Sequence, residues 1–469
     1  MNDDEEMTEL QPTETRKKDD WRQKAIRPER VLAGGFFVLI LVGGLLLSLP
    51  LASTTGQSIG LFNGLFTATS AVCVTGLVVV DTGTAFSLFG QVVLMLLIQM
   101  GGLGFMIFAT LVMLALGRRI SLRNRMMIRE SMNAATLSGM VRLSLWYGGL
   151  ALCIELLGAA LLGIRFIPMY GWGKGLYYSV FHAVSAFCNA GFDLLGNYSS
   201  LTAFSGDPLV VLTIAGLIIL GGLGFSVLFE CVHYGWQLHR LSLHAKMVLV
   251  MTIALVLTGT LFFLVLEWSN PATLGAEGVG VGEKLLGAFF QSVTMRTAGF
   301  NTIDLAGMRE ASKLFAVILM FVGASPASTG GGVKTTTIGA LLLMVRSVLQ
   351  GDSEVNVMHK RLPGELIRRS LVVLVISLGI VLGGTMVLTV AERESRDFLD
   401  LLFEGMSAFA TVGVSSAGTP GLSMTSKVVL IPMMFFGRVG PLTIALALAN
   451  KQGASKSHLK YPEEKIMIG

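Results

Sequence analysis

Four short segments of this chain read "FTATSAVCVTGL", "FHAVSAFCNAGF", "FFQSVTMRTAGF" and "FEGMSAFATVGV", and each stands between two long apolar runs. Aligned on Gly76, Gly191, Gly299 and Gly413, they place a phenylalanine ten residues earlier every time: Phe66, Phe181, Phe289 and Phe403. Ser70, Ser185 and Ser407 stand six before the glycine, while Val293 breaks that column. Helix packing produces one such match by accident, but not four in phase. The chain therefore reads as an internal fourfold repeat.

The apolar runs decide the solvent. Spans at approximately 33–52, 89–116, 145–168, 208–232, 247–268, 314–345, 371–390 and 428–449 come close to the ~20 residues that cross a hydrocarbon core of ~30 Å. Only 14% of the residues are charged, against roughly a quarter in a soluble domain. The expected fold is an all-α polytopic membrane protein. The glycine-centred segments, 61–76, 178–191, 284–299 and 399–413, are too short to cross and read as re-entrant. That predicts four M1–P–M2 repeats, with eight transmembrane helices and four re-entrant pore helices. The boundaries are 31–120, 140–235, 245–348 and 368–450, flanked by tails at 1–30 and 451–469.

Two crossings return the chain to its starting side, so all four repeats insert in one orientation around an axis along the membrane normal. Four such units enclose a central pore. Arg118, Arg119, Arg123, Arg125, Arg129 and Arg142 lie in one connection, and His239, Arg240 and Lys246 in the next. Lys360, Arg361, Arg368 and Arg369 occupy the third, and Lys451, Lys456 and Lys460 follow the last span. By the positive-inside rule these and both termini are cytoplasmic. The sequence pI of about 9.0 thus marks topology and does not predict nucleic-acid binding. The N-terminal stretch reads as a disordered tail without an A-x-A cleavage site. Cys73, Cys153, Cys188 and Cys231 read as small hydrophobes, neither disulfides nor metal ligands.

Non-helical backbone at membrane depth must be buried in protein or line a wet cavity. Each re-entrant segment begins as a short helix whose partly negative C-terminal end favours a cation. The chain then turns back as extended backbone, and glycine permits the positive φ of that turn. Carbonyls of Val74, Thr75 and Gly76, of Asn189, Ala190 and Gly191, of Thr297, Ala298 and Gly299, and of Thr411, Val412 and Gly413 would ring the axis. Such a ring replaces the hydration shell of potassium, which is expected at the level of the four glycines. Asp81, Asp193 and Asp304 either attract cations to the outer mouth or are ordinary solvated loop carboxylates.

The even-numbered spans carry "GGLGF" at Gly101–Phe105 and Gly221–Phe225, and "GRVGP" at Gly437–Pro441. For the two GGLGF clusters, close packing by small residues competes with pore lining. The sixth span is different. Residues 314–345 as one helix would run about 48 Å, yet they contain "GASPASTGGGVKTTT". Pro326 and Gly330–Gly332 cannot sustain that helix, so two half-helices should flank a loop. Gly323, Ala324, Ser325, Pro326, Ser328, Thr329, Gly330, Gly331, Gly332 and Lys334 form a candidate gate. The loop resembles a phosphate-binding loop only superficially, because Val333 stands where glycine should precede Lys334.

Arg438 is an intramembrane charge that either acts in gating or forms a structural ion pair. Lys334 either shares that role or points toward the cytoplasm. Glu155 and Glu404 read as buried hydrogen-bonding groups. Arg296 is expected to brace a filter carbonyl or pair with a carboxylate, and His182 to pack behind the filter.

The four segments, "GASPASTGGGVKTTT" and "FFGRVGPLT" together resemble the superfamily of potassium transporters that includes TrkH, KtrB and plant HKT proteins. Eight spans without an added N-terminal pair are similar to its KtrB branch. The resemblance spans roughly residues 30–450. It implies a potassium pathway with one glycine-centred strand per repeat, an intramembrane gating loop at Gly323–Lys334, and Arg438 as the arginine beneath the filter. It also implies no enzyme activity and no bound cofactor, with potassium as cargo and sodium as an activator. A homodimer in the bacterial plasma membrane, assembled on a cytosolic nucleotide-binding RCK ring (KtrA-like), is the expected assembly. A serine at the first filter position accompanies sodium preference in the plant relatives, and Gly76 here favours potassium. A sodium- or proton-coupled symporter with alternating access is the competing expectation.

Overall fold

The computed structural model describes residues 28–448 except 105, 106, 109, 112, 113, 115–139, 236, 353 and 394. The expectations for the N-terminal tail, the basic run Arg118–Arg129, Phe105 and the C-terminal tail lie outside those residues.

The chain is mostly helical. Its first quarter comprises α1 (Pro28–Leu47), α2 (Leu61–Val72) and α3 (Leu88–Gly102). The second comprises α4 (Met140–Tyr170), α5 (Trp172–Phe187), α6 (Pro208–Leu223) and α7 (Phe225–Tyr234). The third holds α8 (Leu243–Glu267), α9 (Val281–Thr294), α10 (Glu310–Phe321) and α11 (Thr335–Leu349). The fourth holds α12 (Gly364–Glu392), α13 (Phe398–Ala410), α14 (Met424–Val439) and α15 (Pro441–Leu448). A hairpin pairing Asn356–Val357 with Lys360–Arg361 departs from the all-α expectation. Its turn residues, Met358 and His359, both have positive φ, the conformation that tight hairpin turns demand.

Helices α1, α4, α8 and α12 are each long and apolar enough to cross a membrane. Leu257, Leu261 and Val265 on α8, and Leu382, Met386 and Val390 on α12, face outward. That exposure carries no penalty in hydrocarbon. The short helices α2, α5 and α13 lie inside, with Phe66, Phe181 and Phe403 fully buried. Three inner helices begin at capped positions: Ser87 for α3, Asp207 for α6 and Ser423 for α14. Each cap satisfies backbone N–H groups that the first helical turn leaves free.

Packing is cyclic. Within each quarter the long helix packs on the short one, α1 on α2, α4 on α5, α8 on α9 and α12 on α13. Across quarters the inner helix touches the next short helix: α3 with α5, α6 with α9, α10 with α13, and α14 with α2. The last contact closes the circle.

The inner helices correct the sequence reading. The span expected at 208–232 is two helices bent by 102° at Gly224, and the span at 428–449 breaks at Gly440. Within the span expected at 89–116, α3 ends at Gly102 and Gly104 turns the chain. Gly104, Gly224 and Gly440 have φ of 83°, 92° and 93°, which α-helix cannot contain. The third quarter has the two half-helices expected there, α10 ending at Phe321 and α11 starting at Thr335. Hydropathy alone cannot see the breaks at Gly104, Gly224 and Gly440, because glycine interrupts the helix without interrupting the apolar run.

Candidate functional site

The four glycine segments share one backbone geometry. Two positions before each glycine, Val74, Asn189, Thr297 and Thr411 have φ of 53°, 57°, 72° and 53°. The glycines follow with φ of 95°, 69°, 88° and 90°. A non-glycine residue in the left-handed region costs about 1–2 kcal/mol, so the surroundings must hold it there. The N–H groups of Thr75, Ala190 and Val412 donate to the carbonyls of Ser70, Ser185 and Ser407 at 2.7, 2.8 and 2.8 Å. The serine hydroxyls add to this. Ser70 and Ser407 accept from the N–H groups of Gly76 and Gly413 at 3.0 Å, and Ser185 donates to Phe192 O at 2.7 Å.

The third segment is shifted by one residue upstream of its turn. Ala298 N–H donates to Thr294 O at 3.0 Å, and Thr294 Oγ1 bonds to Phe300 O. Phe290 is fully buried, whereas Phe289 is only half-buried. Phe290 and Thr294 thus take the places of Phe66 and Ser70, which corrects the alignment of Phe289 and accounts for the break at Val293. The four-residue spacing from aromatic to hydroxyl is kept, and the loop between hydroxyl and glycine is one residue shorter.

The glycines abut in a closed cycle. A Cβ on Gly76 would lie 2.6 Å from Ala190 O, one on Gly191 2.7 Å from Ala298 O, and one on Gly299 2.8 Å from Val412 O. A Cβ on Gly413 would overlap Thr75 O. Each glycine therefore meets the residue before the next glycine, in chain order around the ring. No larger side chain fits without displacing backbone.

On one side of the ring is a cavity of about 520 Å³, lined by all four glycines and by Asp81, Asp193, Asp304 and Arg396. The three carboxylates also shape their loops, accepting from the N–H groups of Asn197 (2.6 Å), Leu195 (2.9 Å) and Ala306 (3.1 Å) respectively. Each carboxylate thus lines the cavity and also braces loop backbone. Burial pushes the Asp193 carboxyl up to about 6, and the neighbouring Asp81 charge acts in the same direction. The sequence reading passed over Arg396, which sits in a connection with no apolar signal around it.

On the opposite side of the ring, the segment Gly323–Lys334 folds under it. Gly331 N–H donates to Thr411 Oγ1 at 3.0 Å, and Thr329 Oγ1 donates to Phe187 O at 3.1 Å. Ser325 and Thr329 N–H groups donate to Gly222 O (3.1 Å) and Gly221 O (3.2 Å). Ala324 N–H bonds Gly331 O, and Ser328 Oγ donates to Ser325 O. Pro326 and Gly224 are in contact range, since a Cβ on Gly224 would meet Pro326 O. Arg438 donates to the carbonyls of Thr329, Gly101 and Gly102. Its bonds go to backbone oxygens, not to the ion-pair partner considered above. Lys334 Nζ donates to Gly330 O at 2.8 Å and also lines a second cavity. Gly101, Gly221 and Gly437 leave no room for a Cβ against the carbonyls of Val72, Phe187 and Phe409. These three glycines thus pack closely on the short helices.

Other assignments divide. Glu155 accepts from Gln99 Nε2 at 3.0 and 3.1 Å, and Glu404 from Ser415 Oγ at 2.7 Å and from Thr419. His182 is buried against Phe166 and Phe181, with Nδ1 2.7 Å from Tyr178 O and Nε2 facing Leu194 N–H. Its Nε2 therefore accepts and its Nδ1 carries the proton. Arg296 departs from its expectation: among the described residues its guanidinium makes one long hydrogen bond, NH2 to Thr252 Oγ1 at 3.4 Å on α8. Its place three before the glycine directs it outward, toward the long helix. The sequence reading also missed Lys313 and Asp400, a half-buried ion pair of 2.7 Å joining α10 to α13. The Asn189 carboxamide lies 3.3 Å from Thr297 Oγ1, with the carbonyls of Ala186 and Ile218 at 3.0 and 3.2 Å on its other side. Assigning its NH2 to those carbonyls satisfies all four groups.

All four cysteines are free. Among the described residues no cluster of His, Cys, Asp or Glu could hold a metal ion. The ring brings backbone carbonyls of the four segments against the glycines.

The sequence model of the TrkH family, described as "Cation transport protein", matches residues 37–458. The Ktr system potassium uptake protein B of Bacillus subtilis is 43% identical over 94% of this chain and 97% of its own. Its namesake in Vibrio alginolyticus is 39% identical, covering 96% and 97%. The potassium/sodium uptake protein NtpJ of Enterococcus hirae is also 39% identical, covering 95% and 98%. Among solved structures, the potassium transporter TrkH from Vibrio parahaemolyticus shares the fold. Its TM-score is 0.66 at 19% identity, covering 89% of this chain and 85% of that one. The chain is a multi-pass membrane transporter, not an enzyme, and it belongs to the TrkH family of cation transport proteins.

Proposed function

We propose that this chain is the potassium-conducting subunit of an uptake system. Its selectivity filter is Val74–Gly76, Asn189–Gly191, Thr297–Gly299 and Thr411–Gly413. The observation that carries this reading is the closed cycle in which each glycine meets the residue before the next. It brings four backbone segments with matching φ values around one axis, at the floor of a cavity bearing three aspartates. The names of the relatives, potassium uptake proteins from three bacteria, support the same cargo.

In this reading the chain forms four M1–P–M2 repeats with eight crossings, and the broken inner helices each count as one crossing. The aspartate-lined cavity faces outward, and both termini face the cytoplasm of a bacterial plasma membrane. The segment Gly323–Lys334 is the gate. It lies directly beneath Thr411 and is tied to it by the Gly331 bond, with Arg438 as the latch. The relatives' naming as parts of a Ktr system supports a soluble partner subunit, for which a homodimer on a cytosolic RCK ring is the assembly in this reading, and the potassium/sodium name of NtpJ supports sodium as an activator.

Rescue of a potassium-uptake-deficient bacterium, with and without a co-expressed RCK subunit, tests the uptake and the partner together. Growth at low potassium that never depends on this chain overturns the reading. Reversal potentials in proteoliposomes that follow potassium alone, unmoved by sodium or proton gradients, exclude obligatory symport.

A further inference from the structure

A second cavity, of about 660 Å³, lies among α8, α11 and α12. Helix α12 runs from this cavity at its first turn toward Arg396 and the aspartate cavity beyond its last. The two cavities are therefore at opposite ends of the molecule. Three basic side chains from three elements line this one: His244 on α8, Lys334 just before α11, and Arg369 on α12. Its acidic lining group, Glu365, is already paired with Arg369 at 2.6 Å. The rest of the wall is largely apolar, including Leu243, Met247 and Leu366. Helices of 25, 15 and 29 residues all begin here, adding the partial positive charge of their N-terminal N–H groups. The volume lies within the ~300–1,000 Å³ of small-ligand sites.

Basic hydrogen-bond donors above apolar walls match a phosphate carried on an apolar body. We propose that this cavity binds a phosphate group, most simply the headgroup of an anionic phospholipid whose chains lie along α8 and α12. Lys334 links the site to the ring, because its Nζ donates to Gly330 O at 2.8 Å. A phosphate that engages Lys334 competes with that carbonyl and loosens the segment beneath the filter. This coupling rests on the gate reading above, whereas the binding site does not.

The test uses the purified full chain in detergent. Native mass spectrometry compares retention of phosphatidylglycerol with that of phosphatidylcholine, and thermal shift reads inorganic phosphate. We expect phosphatidylglycerol to be retained roughly fivefold better, and Arg369→Gln and Lys334→Gln each to remove most of that preference. Lys427→Gln, half-buried at the other end of the fold, should leave it intact. If inorganic phosphate alone stabilises the wild type and neither variant, the phosphate comes from solution and the site stands. Absence of both responses, or responses that survive both substitutions, overturns the proposal. If Lys334→Gln does not fold, Arg369→Gln decides alone. Rubidium flux in phosphatidylcholine proteoliposomes, with and without phosphatidylglycerol, then tests the coupling. Binding without a change in flux refutes the coupling. Absence of flux in both lipids counts against conduction and leaves the binding result intact.

Discussion

Arg438 donates to the carbonyl oxygen of Thr329, joining the last inner helix to the segment beneath the four-glycine ring. The same guanidinium holds Gly101 and Gly102 of α3, so one side chain ties three quarters of the molecule together. A charge-assisted hydrogen bond is worth about 1.5–3 kcal/mol. Arg438→Gln should therefore raise rubidium flux in proteoliposomes by on the order of tenfold. Wild-type flux in a folded variant would remove Arg438 from the gate.

Deleting Gly330–Gly332 removes the Gly331 bond to Thr411 and the carbonyl that Lys334 engages. The segment can then no longer lie across the underside of the ring. Flux should rise at least as far as in Arg438→Gln while potassium preference over sodium stays unchanged, since the ring itself is intact. A fall in flux would mean that the segment supports the pathway.

Gly191→Ser places a side chain at φ 69°, where its Cβ would lie 2.6 Å from Gly299 Cα and 2.7 Å from Ala298 O. The left-handed conformation alone costs ~1–2 kcal/mol, and the ring must also open to admit the atom. Preference for potassium over sodium should drop roughly tenfold or more, equivalent to about 1.4 kcal/mol. Sodium competition against rubidium uptake measures it, and an unchanged ratio contradicts a carbonyl filter at this level.

Burial, and after it the neighbouring Asp81 charge, push the Asp193 carboxyl above the ordinary carboxylate value, up to about 6. It lies in the connection after the fifth helix, outside the crossing helices. Its charge is present above that pH and is lost as the pH falls through it. Potassium affinity for uptake should thus weaken as the outer pH drops from about 7.5 to about 5. Because the folded state holds this proton more tightly than the unfolded chain does, its contribution to stability grows on acidification. Asp193→Asn should raise Tm at neutral pH and flatten both pH profiles. Profiles identical to wild type would show that Asp193 does not set them.

Lys313 and Asp400 form a pair with side-chain exposures of 10% and 17%. Removing one partner strands the other charge at a cost of about 3 kcal/mol. Asp400→Leu should markedly lower thermal stability in detergent, and Lys313→Met combined with it should recover most of the loss. Additive single effects would show that the two charges do not interact.

The sequence by itself determined the solvent and the plan. Apolar length is a one-dimensional property, and so is the recurrence of a glycine-centred segment, so both were legible without contacts. The broken third inner helix was legible for the same reason, because Pro326 and three consecutive glycines exclude helix locally. Gly104, Gly224 and Gly440 were not, since a lone glycine tolerates helix and breaks it only when neighbouring backbone demands a positive φ. The one-residue shift that gives Thr294 the serine's place, which Val293 had left vacant in the sequence column, became visible only through its bond to Phe300. The destinations of the buried cations likewise depended on partners far along the chain. Arg438 reaches carbonyls from α3 and from the loop, while Arg296 turns toward α8. Tertiary structure alone decided that each glycine meets the residue before the next, because only packing of four distant segments removes the space a Cβ would need.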